Sequence, residues 1–291
     1  EGRFVRYQHD PNDPTSLSHN TVSTIWEDAG GDIWVGTTGG GLNRLDRETG
    51  TFRRYMADPD QQGSLSSNVV SVVYEDRQGM LWVGTTDTGL NLFLPETDTF
   101  AHYSPQPGDP TSLNDIWVTA IYEDRSNRLW IGTYHGGLNV LDRQTNLFTH
   151  YTHDPYDPLS LANDNIATIY EDRSGVLWFG TFGSGVDTYD PLKNKFNHYA
   201  SKPGNTQGLS ASSIWSIYED GQQNLWIGFV FIAAVSIICA VLEGILIDQS
   251  LFSSGKCTLI VPLVVAAMAF ALIGKTTDAL LNKNLRVLVM I

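Results

Sequence analysis

The sequence predicts an all-β protein, a β-propeller array of four-stranded antiparallel blades with four full blades and a partial fifth over residues 1–228, followed by an α-helical hydrophobic tail over 229–291. Three observations predict it. A tryptophan recurs every 48 residues, at Trp34, Trp82, Trp130, Trp178 and Trp226. An acidic pair keeps the same step ahead of it: Glu27-Asp28, Glu75-Asp76, Glu123-Asp124, Glu171-Asp172 and Glu219-Asp220. A Phe-x-x-Tyr pattern follows suit, from Phe4 and Tyr7 through Phe52 and Tyr55 to Phe196 and Tyr199. A fixed period of this size marks an array of supersecondary units.

Within the second unit four strands are expected, at residues 70–75, 80–85, 89–94 and 99–103. Each is rich in Val, Leu and aromatic residues and is bounded by turn-forming runs such as Asp76-Arg77-Gln78-Gly79 and Pro95-Glu96-Thr97-Asp98. Short connections favour antiparallel neighbours, and four such strands per repeat form a propeller blade. A solenoid of helix pairs does not fit. Glycine interrupts the chain every few residues, and no run places apolar residues at i, i+3, i+4 and i+7 over three turns.

The recurring tryptophans are expected in the core, facing a neighbouring sheet. The glycines two places on, and the Gly41-Leu42-Asn43 triplet, suit tight turns and close sheet contact. Each Asp of the acidic pair is expected to bond its own turn as an Asx turn. Adjacent strand residues point to opposite faces, so five copies of the pair are scaffold and not paired catalytic carboxylates. The long polar connectors, such as residues 9–18 and 154–161, read as loops. Residues 4–7 match the outer strand of a further repeat.

Of 18 basic and 32 acidic residues, only Lys256, Lys275, Lys283, Arg286, Glu243, Asp248 and Asp278 follow Trp226. The acidity therefore belongs to the repeats and repels phosphate backbones, which excludes nucleic acid as a partner class. Both cysteines, Cys239 and Cys257, lie in the tail. The opening residues carry no basic region followed by an apolar run, so no leader is read there.

The string DPNDPTSLSHNTVSTIWEDAGGDIWVGTTGGGLNRLDRETGTFRRY and its copies resemble the repeat of two-component regulator propellers, the extracytoplasmic sensor arrays of hybrid two-component histidine kinases. The resemblance covers residues 1 to about 228. It implies a ligand-sensing propeller, commonly one that senses polysaccharide fragments, on the periplasmic side of a membrane-bound regulator. The kinase output of that family is absent from this sequence, so no enzymatic activity is expected. A protein-interaction scaffold is the alternative reading, followed by a propeller lyase or glycosidase.

After Gly228 the sequence departs from the repeat. Residues 227–247 are apolar with one charge, Glu243, which has the length and polarity of a membrane span. A second apolar run covers 258–273 and contains Pro262. One or two transmembrane spans are expected in 229–291, with Lys275, Lys283 and Arg286 on the cytoplasmic side. An extracytoplasmic propeller requires an odd number of crossings.

Because the repeat serves as its own alignment, positions that vary between units stand out. They fall in the connectors and in the turns between second and third strands, which leave an up-and-down blade on one face. Trp117, Tyr134, His135, Phe182 and Asp87 are the candidate ligand-binding residues there: aromatic rings stack on the C–H faces of a pyranose, and polar groups bond its hydroxyls. The partners expected are an oligosaccharide or other small ligand and, through the tail, a membrane; a homodimer is left open. No catalytic residue, cofactor or metal site is predicted. His102, His150 and His198 recur on three separate outer strands and cannot share a metal.

Overall fold

In a computed structural model, residues 4–190, 195–202, 208–229 and 285–289 are described. Four blades follow one another along the chain. The first contains β1 (Val22–Glu27), β2 (Ile33–Thr37), β3 (Leu42–Leu45) and β4 (Phe52–Tyr55), and the second β5 (Val70–Glu75), β6 (Leu81–Thr85), β7 (Leu90–Leu94) and β8 (Thr99–Tyr103). The third contains β9 (Val118–Glu123), β10 (Leu129–Thr133), β11 (Leu138–Asp142) and β12 (Leu147–Tyr151), and the fourth β13 (Ile166–Glu171), β14 (Leu177–Thr181), β15 (Val186–Asp190) and β16 (Lys195–Tyr199). Each is an antiparallel sheet with its strands in sequence order. The strand bounds expected for the second unit agree to within one residue.

The fifth blade begins with β17 (Ile214–Glu219) and β18 (Leu225–Phe229), and β19 (Leu285–Val289) lies parallel to β18. Phe229 closes β18, because the buried alternation Leu225, Ile227, Phe229 carries the strand one residue further than the repeat boundary drawn from sequence. Residues 285–289 pair along the edge of β18. The remainder of the tail, with both apolar runs, lies outside the described residues. Among the described residues no helix is long and apolar enough to cross a membrane.

Residues 4–7 form no strand. Phe4 is fully exposed, while Tyr7 meets Phe52 edge-on at 5.3 Å. That is the contact Tyr55, Tyr103 and Tyr151 make with Phe100, Phe148 and Phe196 of the next blade. Among the described residues no pairing joins residues 4–7 to the fifth blade.

The core lies between blades. Trp34, Trp82 and Trp130 are buried against the following blade, Trp130 among Tyr151, Phe179 and Tyr189. Trp178, beside the fifth blade, is partly buried. Burying a side chain of this size contributes about 2–3 kcal/mol. Gly132 allows the approach: a Cβ there would come within 2.7 Å of Ile166 in the next blade. Gly137, with φ +70°, turns the chain into β11 where a Cβ would strike the Tyr151 carbonyl at 2.3 Å.

Both halves of the acidic pair have structural tasks. The aspartate accepts its turn's N–H groups, as expected, and also the indole N–H of its own blade: Trp34 to Asp28, Trp82 to Asp76 and Trp130 to Asp124 at 2.8 Å, Trp178 to Asp172 at 2.7 Å and Trp226 to Asp220 at 3.0 Å. The glutamate reaches back one blade. Glu75, Glu123, Glu171 and Glu219 accept the backbone N–H of Ala29, Arg77, Arg125 and Arg173, at 2.6 to 3.0 Å.

Candidate ligand-binding face

Each inner strand bulges at its second residue: Ser23, Ser71, Thr119, Ala167 and Trp215 are left over between consecutive pairings with the second strand. A bulge re-aims the extra side chain. Ser23, Ser71 and Thr119 use it to donate to the carbonyls of Val70, Val118 and Ile166 in the next blade, at 2.6 to 2.7 Å. Just above the bulge, the turn between second and third strands bonds two connectors at once. Tyr134 N–H donates to Trp117 O at 3.0 Å and Gly137 N–H to Asp164 O at 2.8 Å. Phe182 N–H donates to Asn165 O at 2.9 Å and Gly185 N–H to Ser212 O at 2.7 Å. Connectors and turns therefore share one face, as the repeat comparison anticipates.

On that face four aromatic rings form a continuous ridge across blades three to five. Trp117 stacks on Tyr134, with centroids 4.3 Å apart and planes 28° apart. Tyr134 meets Phe182 edge-on at 5.6 Å, and Phe182 meets Trp215 edge-on at 5.5 Å. Trp117 is 37 % exposed and Trp215 54 %, so the ridge offers ring surface to solvent that no blade covers. His135 stands beside it, its ring 4.5 Å from that of Tyr134.

Asp115 arranges the polar side of this group. Its Oδ2 accepts the His135 backbone N–H at 2.7 Å and lies 3.6 Å from His135 Nδ1, while its Oδ1 accepts the Trp117 N–H at 3.3 Å. In other blades His19, Ser67 and Asn163 bond the N–H two residues on in the same way, so the aspartate adds a link to the neighbouring turn to a role common to the register. The arrangement pairs solvent-facing rings with a carboxylate and an imidazole, suited to a ligand with apolar faces edged by hydroxyls.

The structure thus brings Trp117, Tyr134, His135 and Phe182 together. Asp87 is exposed at the equivalent turn of the second blade and stands apart from the ridge. Sequence reasoning missed Trp215 and Asp115. The signal for Trp215 was present, since a tryptophan replaces the small residue of four other copies. Nothing in the sequence alone distinguished Asp115 from a turn residue.

The recurring histidines clamp connectors: His102, His150 and His198 reach the carbonyls of Ser64, Ser112 and Pro158 through Nε2, at 2.8 to 3.0 Å. Among the described residues no group of three His, Cys, Asp or Glu is placed to hold a metal ion.

The blade geometry and the single repeat define a β-propeller segment. Residues 64–87, 112–135, 160–183 and 208–230 match the family described as Two component regulator propeller, and the chain carries that family's repeats. A comparison with curated proteins finds no match. Among solved structures, the chain is similar to the extracellular domain assigned to a hybrid two component system of B. thetaiotaomicron, at 23% identity and a TM-score of 0.60, covering 77% of this chain and 34% of that one. It is similar also to an extracellular domain assigned to a one component system of the same organism, at 21% identity and 0.58, covering 76% and 27%. A third is PorZ, a surface component of the type-IX secretion system of Porphyromonas gingivalis, at 16% identity and 0.56, covering 77% and 33%. At these identities the likeness is one of fold, and the chain spans about a third of the length of the first of them.

Proposed function

We propose that this chain is the ligand-sensing part of the extracytoplasmic region of a membrane-bound two-component regulator, and that its ligand is an oligosaccharide lying along the Trp117–Tyr134–Phe182–Trp215 ridge. The observation that carries this reading is the ridge itself. Solvent-facing rings occupy positions where other blades hold small or polar residues, so packing of the blade does not require them. His135 and Asp115 stand within reach of hydroxyls at its edge. The role is recognition and not catalysis, with the apolar runs that follow β18 as the membrane attachment. The family's repeats and the extracellular domains of similar fold support the placement outside the cytoplasm.

A glycan array followed by calorimetric titration of the positive oligosaccharides tests it. Saturable binding that Trp117→Ala weakens is the expected result. A blank array, together with capture of a protein partner that the same substitution disrupts, would replace the sensor reading with that of a scaffold.

A further inference from the structure

One buried position breaks the repeat in a way the ridge does not explain. In the first three blades the second residue of the third strand is a fully buried asparagine: Asn43, Asn91 and Asn139. Each accepts a connector N–H through its side-chain oxygen, from Ser18, Ser66 and Asn114 at 3.0 to 3.1 Å. In the fourth blade the residue is Asp187, equally buried. Its Oδ2 accepts the Ala162 N–H at 2.9 Å, as the asparagines do, but its Oδ1 lies 2.5 Å from His198 Nδ1. His198 Nε2 is bonded to the carbonyl of Pro158 at 3.0 Å. A carbonyl can only accept, so Nε2 carries a proton; an ionised Asp187 can only accept, so Nδ1 carries the other. With Asp187 ionised, the complete set of bonds requires an imidazolium.

We propose that Asp187 and His198 form a proton-dependent latch, which holds the 153–165 connector against the fourth blade when both ring nitrogens are protonated and releases it as the pH rises. A neutral ring has one N–H and must give up either Asp187 or Pro158. Giving up Asp187 leaves a buried carboxylate with the Ala162 N–H and little else. Of the other titratable groups around the pair, Asp154, Asp157 and Asp164 lie on the connector and Lys195 and Tyr199 on β16. His153 lies on the connector, its Nδ1 spent on Leu161 O at 2.6 Å, and the flanking β14 carries no ionisable side chain. Burial raises the Asp187 carboxyl above the usual range, with the bonds from His198 and Ala162 acting against that rise. A carboxyl raised in the folded state contributes stability that is lost as pH climbs through its titration, the same direction as the loss of the latch. The connector continues to Asn165, whose carbonyl holds Phe182, so the latch sits beneath one end of the ridge.

Amide hydrogen exchange at pH 6 and pH 8, corrected for intrinsic rates and without any ligand, tests the latch independently of the sensing role. The Ala162 amide of the wild type is expected to lose about tenfold protection at pH 8, the equivalent of one pKa unit of linkage. The Ser66 and Asn114 amides, bonded to asparagines, serve as controls in the same sample and are expected to hold. Asp187→Asn restores the residue of the other blades and should abolish the difference, as should His198→Gln. Equal pH response at Ala162 and Asn114 in the wild type overturns the proposal, and so does an unchanged response in Asp187→Asn.

Discussion

The indole N–H of Trp130 donates to Asp124 Oδ2 at 2.8 Å, and neither residue is more than 2 % exposed. The same oxygen accepts Arg128 Nε at 2.6 Å, and Asp124 Oδ1 takes the N–H groups of Ser126 and Arg128. One carboxylate thus fixes a turn, an arginine and the central ring of a blade junction. Trp130→Ala is expected to cost about 3–5 kcal/mol, the usual loss for a buried tryptophan. Trp130→Phe should retain part of the packing while losing the indole bond. Urea unfolding of the two variants measures the difference.

The ridge predicts a loss of binding without a loss of fold. Trp117→Ala and Tyr134→Ala should each weaken oligosaccharide binding by about 1–2 kcal/mol, below the largest hot-spot effects because ring surface remains on either side. Trp215→Ala should show a similar decrease. Calorimetric titration alongside thermal melts checks this. Undiminished binding in all three variants would move the site off this face.

Arg143 joins two blades through charge. Its Nη1 bonds Glu123 Oε1 at 2.8 Å and its Nη2 lies 3.1 Å from Asp76 Oδ2, with both carboxylates almost wholly buried. Arg143→Met should destabilise the protein by about 3–5 kcal/mol, because two buried charges lose their partner. The equivalent Arg47 pairs with an exposed Glu27, and Arg47→Met should change stability by less than about 1 kcal/mol. A denaturant midpoint for each variant tests the contrast.

Acid should unfold the array through its turns. Burial pushes the Asp172 carboxyl up, but the bonds from Ser174, Trp178 and Val176 outweigh it and leave the group below its ordinary value. Hydrogen bonds also hold Asp13, Asp46, Asp109 and Asp142 below the carboxylate range. A carboxyl lowered in the folded state contributes stability above its unfolded pKa, about 4, that is lost as pH falls through the folded value. Melting temperature should therefore fall steeply below about pH 4 in wild type and less steeply in Asp172→Asn.

Much of this was legible in the sequence because the repeat writes each constraint several times. Strand bounds, inter-blade tryptophans, Asx turns and the variable face all follow from comparing the copies. The glutamate was legible as a constant but not as a contact. Its partner is a backbone N–H in the preceding blade, and backbone groups leave no mark on residue identity. The clamping of connectors by His102 and His150 was hidden for the same reason, their partners being carbonyls. Trp215 lies inside a strand, where residues alternate between faces, and only the bulge in β17 delivers its ring to the loop-built face. Phe182 and Tyr134 could be nominated singly, but their edge-on contact depends on how closely successive blades approach, which glycines such as Gly132 determine.

The backward reach of Glu75, Glu123, Glu171 and Glu219 also bears on how the array comes apart. Each of these bonds crosses a single junction, as do the bulge hydroxyls and the aromatic clusters. Cooperativity is therefore transmitted from neighbour to neighbour, as in a one-dimensional chain of coupled units. A blade at either end of the described series has one coupling and an internal blade has two, so loosening should start at the ends and move inward. Substituting one glutamate, Glu123→Ala for instance, should weaken the coupling between the second and third blades and broaden the unfolding transition.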